Sequence, residues 1–348
     1  MKNIVIGILF LASNTLVAQI ESIIKNPKVG WVAQGSMDIQ FDALNYEAIK
    51  SLESSRSYYS GAPEILKLLE LQSEFTSDGY NHFAKILFSA IYKKKVKIYS
   101  DSTCTKEINI LNINVDSIEV IDPINFEPKV KVVHNNFDPN KCVYFRVFQT
   151  FIYKPEKSSW EIRTESIAPI YIETTSYGSV SFKPIFWIKA DNNKHTSDKN
   201  LSWKVRTQTA VFPKYRMNEL KISQGDMPLE HYVNYFKKNS SVPFYNAEKG
   251  WKNKIRLTES DKINLFKSRT DTIDVINPET FKPETRLNVF KVDSESITGI
   301  KFIQEWHWDK KKNIISSQLK AIAPLLSLTD PQGNFLLNTV LFYKRIDE

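Results

Sequence analysis

Five histidines, His82, His134, His195, His231 and His307, are the first residues to try for chemistry. None stands at a metal-ligand spacing from another histidine or a cysteine. The chain has no glycine loop to cradle a phosphate, no nucleophile elbow and no Cys and His motif of a hydrolase. His307 and Asp309, two apart in Trp306-His-Trp-Asp309, fall on one strand face opposite the tryptophans, where an acid–base pair would sit. Matching positions earlier in the chain hold Ile152 and Lys154, which favours a solvated polar face instead. Trp306 and Trp308 are able to stack on sugars or bases, but their alternation with polar residues favours core packing. The residues therefore nominate no catalytic, cofactor-binding or metal site, and the expectation is a protein that is not an enzyme and needs no cofactor.

The elements that would position any site come from an internal duplication. Ile118-Glu-Val-Ile-Asp-Pro-Ile-Asn-Phe-Glu-Pro128 matches Ile273-Asp-Val-Ile-Asn-Pro-Glu-Thr-Phe-Lys-Pro283, and Ile167-Ala-Pro169 matches Ile322-Ala-Pro324, both at an offset of 155. Between the motifs each copy carries a hairpin, with Phe145, Val147, Phe151 and Tyr153 alternating in one and Ile300, Phe302, Trp306 and Trp308 in the other. The offset is expected to hold without a gap to Lys189 and Lys344. A proline removes a ladder donor, so each Ile-Ala-Pro is expected to end or kink its strand or to lie on an edge. Upstream, 29–42 reads as a strand, 44–53 and 63–69 as short helices, and 79–94 as an amphipathic helix closed by Lys93, Lys94 and Lys95. Residues 228–238 form a second lysine-ended helix, and the strand at Trp203 copies the one at Trp31. The lysine runs are helix ends rather than a nucleic-acid surface.

The fold class expected is α+β: two tandem repeated modules, each an antiparallel sheet with one or two packed helices. Met1 to Ala18 has the basic start, apolar run and small-residue end of a cleaved signal, giving a first module at 19–200 and a second at 201–348. The polar stretch Asp191 to Leu201 is the natural boundary, and the modules are expected to fold independently. The residue after the cleavage point is Gln19 and not the cysteine of a lipoprotein, so membrane contact is expected only through partners. Cys104 and Cys142 either form a disulfide or remain separate thiols. The net charge of +8 gives a basic surface.

At the hairpin the chain resembles the GldN/PorN family of type IX secretion and gliding motility. The motifs that carry the likeness are Glu305-Trp-His-Trp-Asp-Lys310, Ile322-Ala-Pro324, Arg163, Ile167-Ala-Pro169 and Ile185-Phe-Trp-Ile188, with a helix at Ala84 to Tyr92. The resemblance covers roughly 80–190 and 228–345. Phe151 and Gln318 depart from the family pattern, as does the duplication itself. What it implies is a non-catalytic periplasmic structural or adaptor protein, bound to an outer-membrane lipoprotein or other secretion subunits, in a ring-shaped oligomer and without nucleic acid. A second reading is a periplasmic or surface binding protein for an anionic envelope polymer; a hydrolase has the least support.

Overall fold

A computed structural model describes residues 20–41, 83–113, 115–121, 124, 127–139, 142–174, 180–192, 200–212, 222–223, 226–239, 241–247, 255–277, 280–293 and 295–346. The expected signal at 1–18, the helices expected at 44–53 and 63–69, and most of the polar stretch before Leu201 lie outside the described residues.

The chain is mixed α/β and dominated by strands. The first half runs β1 (Trp31–Ile39), α1 (Phe83–Tyr92), β2 (Ile98–Tyr99), β3 (Glu107–Ile108), β4 (Val115–Ile121), β5 (Pro128–His134), β6 (Cys142–Lys154), β7 (Ser159–Thr174), β8 (Val180–Pro184) and β9 (Ile188–Asp191). The second runs β10 (Leu201–Val211), β11 (Ile222–Ser223), α2 (Leu229–Lys238), α3 (Glu259–Leu265), β12 (Arg269–Ile276), β13 (Pro283–Phe290), β14 (Ile297–Asp309), β15 (Ile314–Thr329), β16 (Phe335–Val340) and β17 (Lys344–Arg345).

In α1, Ala84, Leu87, Phe88 and Ile91 follow the three and four residue spacing of one face, and all are buried. The helix stops two residues short of the expected Lys94. Lys94 takes φ 55, its N–H donates to the Ile91 carbonyl and the Lys95 N–H to that of Ala90, a Schellman closure built without glycine. Helix α3 was not legible from apolar spacing. It begins at a capping box in which Thr258 Oγ1 accepts from the Asp261 N–H and the Asp261 carboxylate accepts from the Thr258 N–H.

The two hairpins, β6–β7 and β14–β15, begin and end at positions that differ by 155 throughout. Their registers also agree: Gln149 lies opposite Thr164 as Gln304 lies opposite Leu319, and both ladders shift at the same place, after Phe148 and after Ile303. The gapless offset fails further on. β15 and β16 shift register between Leu328 and Thr329, and beyond that point equivalent residues differ by 156. Thus Tyr99 bridges Trp187 while Tyr245 bridges Tyr343, and Ile167 pairs with Ile188 while Ile322 pairs with Lys344. One extra residue in β16 is absorbed as a bulge.

Neither Ile-Ala-Pro ends its strand. β7 and β15 run straight through Pro169 and Pro324. The carbonyl of Pro169 accepts from Ile185 N–H and that of Pro324 from Leu341 N–H, so each proline turns its missing donor toward the break between two short partner strands. No ladder bond is lost there.

The expectation of separate sheets with separate cores is corrected. Strands of both halves join one 13-stranded sheet in the order β10-β14-β15-β9-β7-β6-β1-β11, with β9 and β15 meeting in parallel. One apolar core holds rings from both halves. Phe83 of α1 stacks on Trp203 at 4.4 Å, Phe151 lies 5.5 Å from Phe302, and Trp160 lies 5.5 Å from Phe302 and 6.2 Å from Tyr232 of α2. Each ring removes about 150–250 Å² from water, worth on the order of 4–6 kcal/mol at about 25 cal/mol per Å². The hairpin residues expected to face inward, Phe145, Val147, Phe151, Tyr153, Ile300, Phe302, Trp306 and Trp308, are all buried in this core.

Candidate interaction site

Period-two alternation sends every second residue of β10 and β14 outward, and three of these residues, with Lys320 of β15, gather around one carboxylate. Glu305 is only 4% exposed at its side chain. Lys204 Nζ lies 3.0 Å from it, Arg206 Nε 2.6 Å, His307 Nε2 3.2 Å and Lys320 Nζ 3.7 Å. Burial alone would raise the Glu305 carboxyl, but hydrogen bonds from His307, Lys204 and Arg206 outweigh it and hold the group well below the usual carboxylate range. Asp309 is elsewhere engaged: its Oδ1 accepts from the Lys311 and Lys312 N–H groups and caps the hairpin turn. His307 and Asp309 are thus neither an acid–base pair nor a solvated polar face. The first is tied to a buried carboxylate and the second, 1% exposed, is a turn cap.

The same lattice positions in the first half are filled differently. Gln34 replaces Arg206, Thr150 replaces Glu305 and Glu165 replaces Lys320, by register. There Gln34 Nε2 donates to Thr150 Oγ1 at 3.0 Å, and Thr150 Oγ1 donates to Glu165 Oε1 at 3.1 Å. Burial raises the Glu165 carboxyl, against the hydrogen bond from Thr150. Val32 and Ile152 stand where Lys204 and His307 stand, and Ile20 packs over them. Among the described residues one half therefore covers this outer face with apolar residues, and the other lines it with charged ones. The charged cluster was missed in the sequence, although Lys204-Val-Arg206 and Glu305-Trp-His307 both carry the period-two spacing that marks it.

A second set of features projects away from the core. The ribbons β4–β5 and β12–β13 keep one register, Ile118 opposite Lys131 as Ile273 is opposite Arg286. Both expose apolar side chains at matched positions: Ile121 and Ile276 are 68% and 61% exposed, and Val132 and Leu287 are 54% and 53% exposed. Val130, Ile124 and Phe281 add to these surfaces.

The remaining candidates have structural partners. His231 Nδ1 lies 2.7 Å from Tyr153 Oη, which also meets Ser158 Oγ at 2.8 Å, so α2 is tied to the opposite half's hairpin turn. Burial pushes the Tyr153 phenol up to about 12. His134 Nδ1 contacts the Leu111 carbonyl at 2.6 Å, while His82 and His195 lie outside the described residues. Cys104 and Cys142 are not bridged to each other, and burial pushes the Cys104 thiol up to about 12. Trp306 and Trp308 are core rings, and Trp306 Nε1 donates to Thr207 Oγ1 at 2.8 Å. Among the described residues no group of three or more His, Cys, Asp or Glu is placed to hold a metal ion. Among them, too, no helix is long and apolar enough to cross a membrane.

These surfaces belong to a strand-dominated chain that, among the described residues, carries a charged cluster on one sheet face and exposed apolar side chains on two ribbons. Residues 58–196 match the GldN family, described as "Gliding motility associated protein GldN". The first half is GldN-like, as its motifs implied; the match ends before β10. No curated protein matches the chain.

Proposed function

We propose that the chain is a non-catalytic structural or adaptor component of a gliding-motility and type IX secretion assembly, acting in the periplasm after loss of residues 1–18. The family description supports the machinery, and the ribbons support the role. Across 118–128 and 273–283 the halves keep six of eleven residues identical, whereas the buried hairpins over 145–169 and 300–324 keep five of 25. Packing asks core positions to keep volume and apolar pattern, not identity. Here the exposed apolar ribbon is the better kept, which suits contact with a partner better than packing within the chain. Two like ribbons on one body would engage two like sites, such as neighbouring subunits of the machinery or an outer-membrane lipoprotein, and linkage would strengthen both contacts.

The halves, 19–200 and 201–348, are on this reading copies of one module, supported by matched strand ends and matched bulges. Their shared core makes them a single rigid spacer between the ribbons. The test is to replace Ile121, Val132, Ile276 and Leu287 with serine in the full chain. Secretion and gliding should fall and co-purification of machinery subunits should be lost, while the thermal melt stays at the wild-type temperature. Unchanged secretion and gliding with the same melt would reject the ribbons as contacts.

A further inference from the structure

In the first half, β1 does not end the sheet. Beyond it β11 pairs antiparallel, with Ala33 opposite Ser223 and Gln34 opposite Ile222. In the second half β10 takes the place of β1: Trp203 stands opposite Trp308 as Trp31 stands opposite Tyr153. Among the described residues β10 pairs with β14 alone and terminates the strand order. It is 11 residues long, with Trp203, Val205 and Thr207 buried inward and Ser202, Lys204 and Arg206 exposed outward. A long strand at a sheet edge is a ready template for another chain.

We propose that the outer edge of β10 takes an extended acidic segment of a partner protein as an added strand, in the place β11 holds against β1. Strand addition supplies main-chain hydrogen bonds, and the side chains facing the edge set the choice of partner. Lys204 and Arg206 are two residues apart on one face, so an incoming strand sets its own alternate side chains beside them. Glu305 anchors both heads, at 3.0 Å and 2.6 Å, and Lys320 adds a third cation. Lys204 and Arg206 keep about half of each side chain in solvent, 49% and 44%, and two basic side chains along one edge favour Glu or Asp on the incoming strand and repel Lys. The intervening residues of that strand would extend the buried inner face of Trp203 and Val205. Edge lysines also serve to keep strands away, and that role carries no preference for an acidic strand.

The test uses the full-length mature chain with two short synthetic peptides, one alternating Glu with Val and one alternating Lys with Val. The acidic peptide should bind saturably at one site, at least about tenfold more tightly than the basic one, and weaken with added salt. Hydrogen exchange should slow at β10 amides when it is bound. Lys204→Gln with Arg206→Gln should weaken binding by about tenfold; should that variant fail to fold, the wild-type peptide comparison and exchange pattern decide alone. The proposal is overturned if the acidic peptide does not bind, if both peptides bind equally, or if protection falls on other strands. It is also overturned if polyphosphate, which cannot form a strand, gives the same protection at β10, since the face would then belong to a polyanion.

Discussion

A double-mutant cycle across the shared core tests whether the halves fold as one body. Phe151 of β6 and Phe302 of β14 are buried to within about 1% and their rings lie 5.5 Å apart. Phe302 also meets Trp160 at 5.5 Å. Replacing either ring with leucine keeps the site apolar and should cost roughly 1–2 kcal/mol. An aromatic pair is worth about 0.5–1.5 kcal/mol beyond area burial, whereas residues without contact add to within about 0.3–0.5 kcal/mol. Phe151→Leu, Phe302→Leu and the double variant should therefore show a coupling energy above that limit. Denaturant unfolding followed by tryptophan fluorescence and far-UV circular dichroism should give one coincident transition for each protein. Two separable transitions, each displaced only by the substitution in its own half, would refute a common core. So would a fragment of residues 202–348 that melts cooperatively alone.

Trp306→Ala should cost about 3–5 kcal/mol, because a fully buried ring and its hydrogen bond to Thr207 are lost together; a melt at the wild-type temperature would remove it from the core. The Glu305 carboxyl is held below its unfolded value of about 4.3, so its contribution is present above that pH and is lost as pH falls through the folded value. Glu305→Gln should cost about 1–3 kcal/mol at neutral pH and flatten the acid limb of the stability curve; parallel pH curves would contradict the buried cluster. The mature protein should begin at Gln19 by N-terminal sequencing of the cell-envelope fraction, and an intact Met1 on cytoplasmic protein would exclude export.

The hairpins were legible because strand periodicity and duplicated motifs speak together: the alternating rings are the core rings, and the strand ends repeat at one offset. The match of Trp203 to Trp31 rested on one residue, yet their registers agree. What could not be read was how the halves meet. An apolar strand face looks the same whether it closes on its own helix or on the facing hairpin, so Phe151 gave no sign of Phe302. The proline expectation failed because the side of the strand that loses its donor is set by the neighbouring strands, not by the proline. His307 and Asp309 looked like a solvated face because neither the cluster around Glu305, which draws Lys204, Arg206 and Lys320 from two other strands beside His307, nor the turn N–H groups that Asp309 caps can be read from strand spacing. A bulge that admits one residue, as at Leu336 between Phe335 and Leu337, leaves no mark in a motif search when its two neighbours are apolar as it is.

The most direct measurement is affinity purification of the mature chain from solubilised envelopes, followed by identification and stoichiometry of what accompanies it. Recovery with gliding and type IX secretion subunits in fixed proportion, lost when the Ile121, Val132, Ile276 and Leu287 serine variant replaces wild type, is the expected result. Recovery of the folded wild-type chain without any subunit of that machinery would contradict the assembly role.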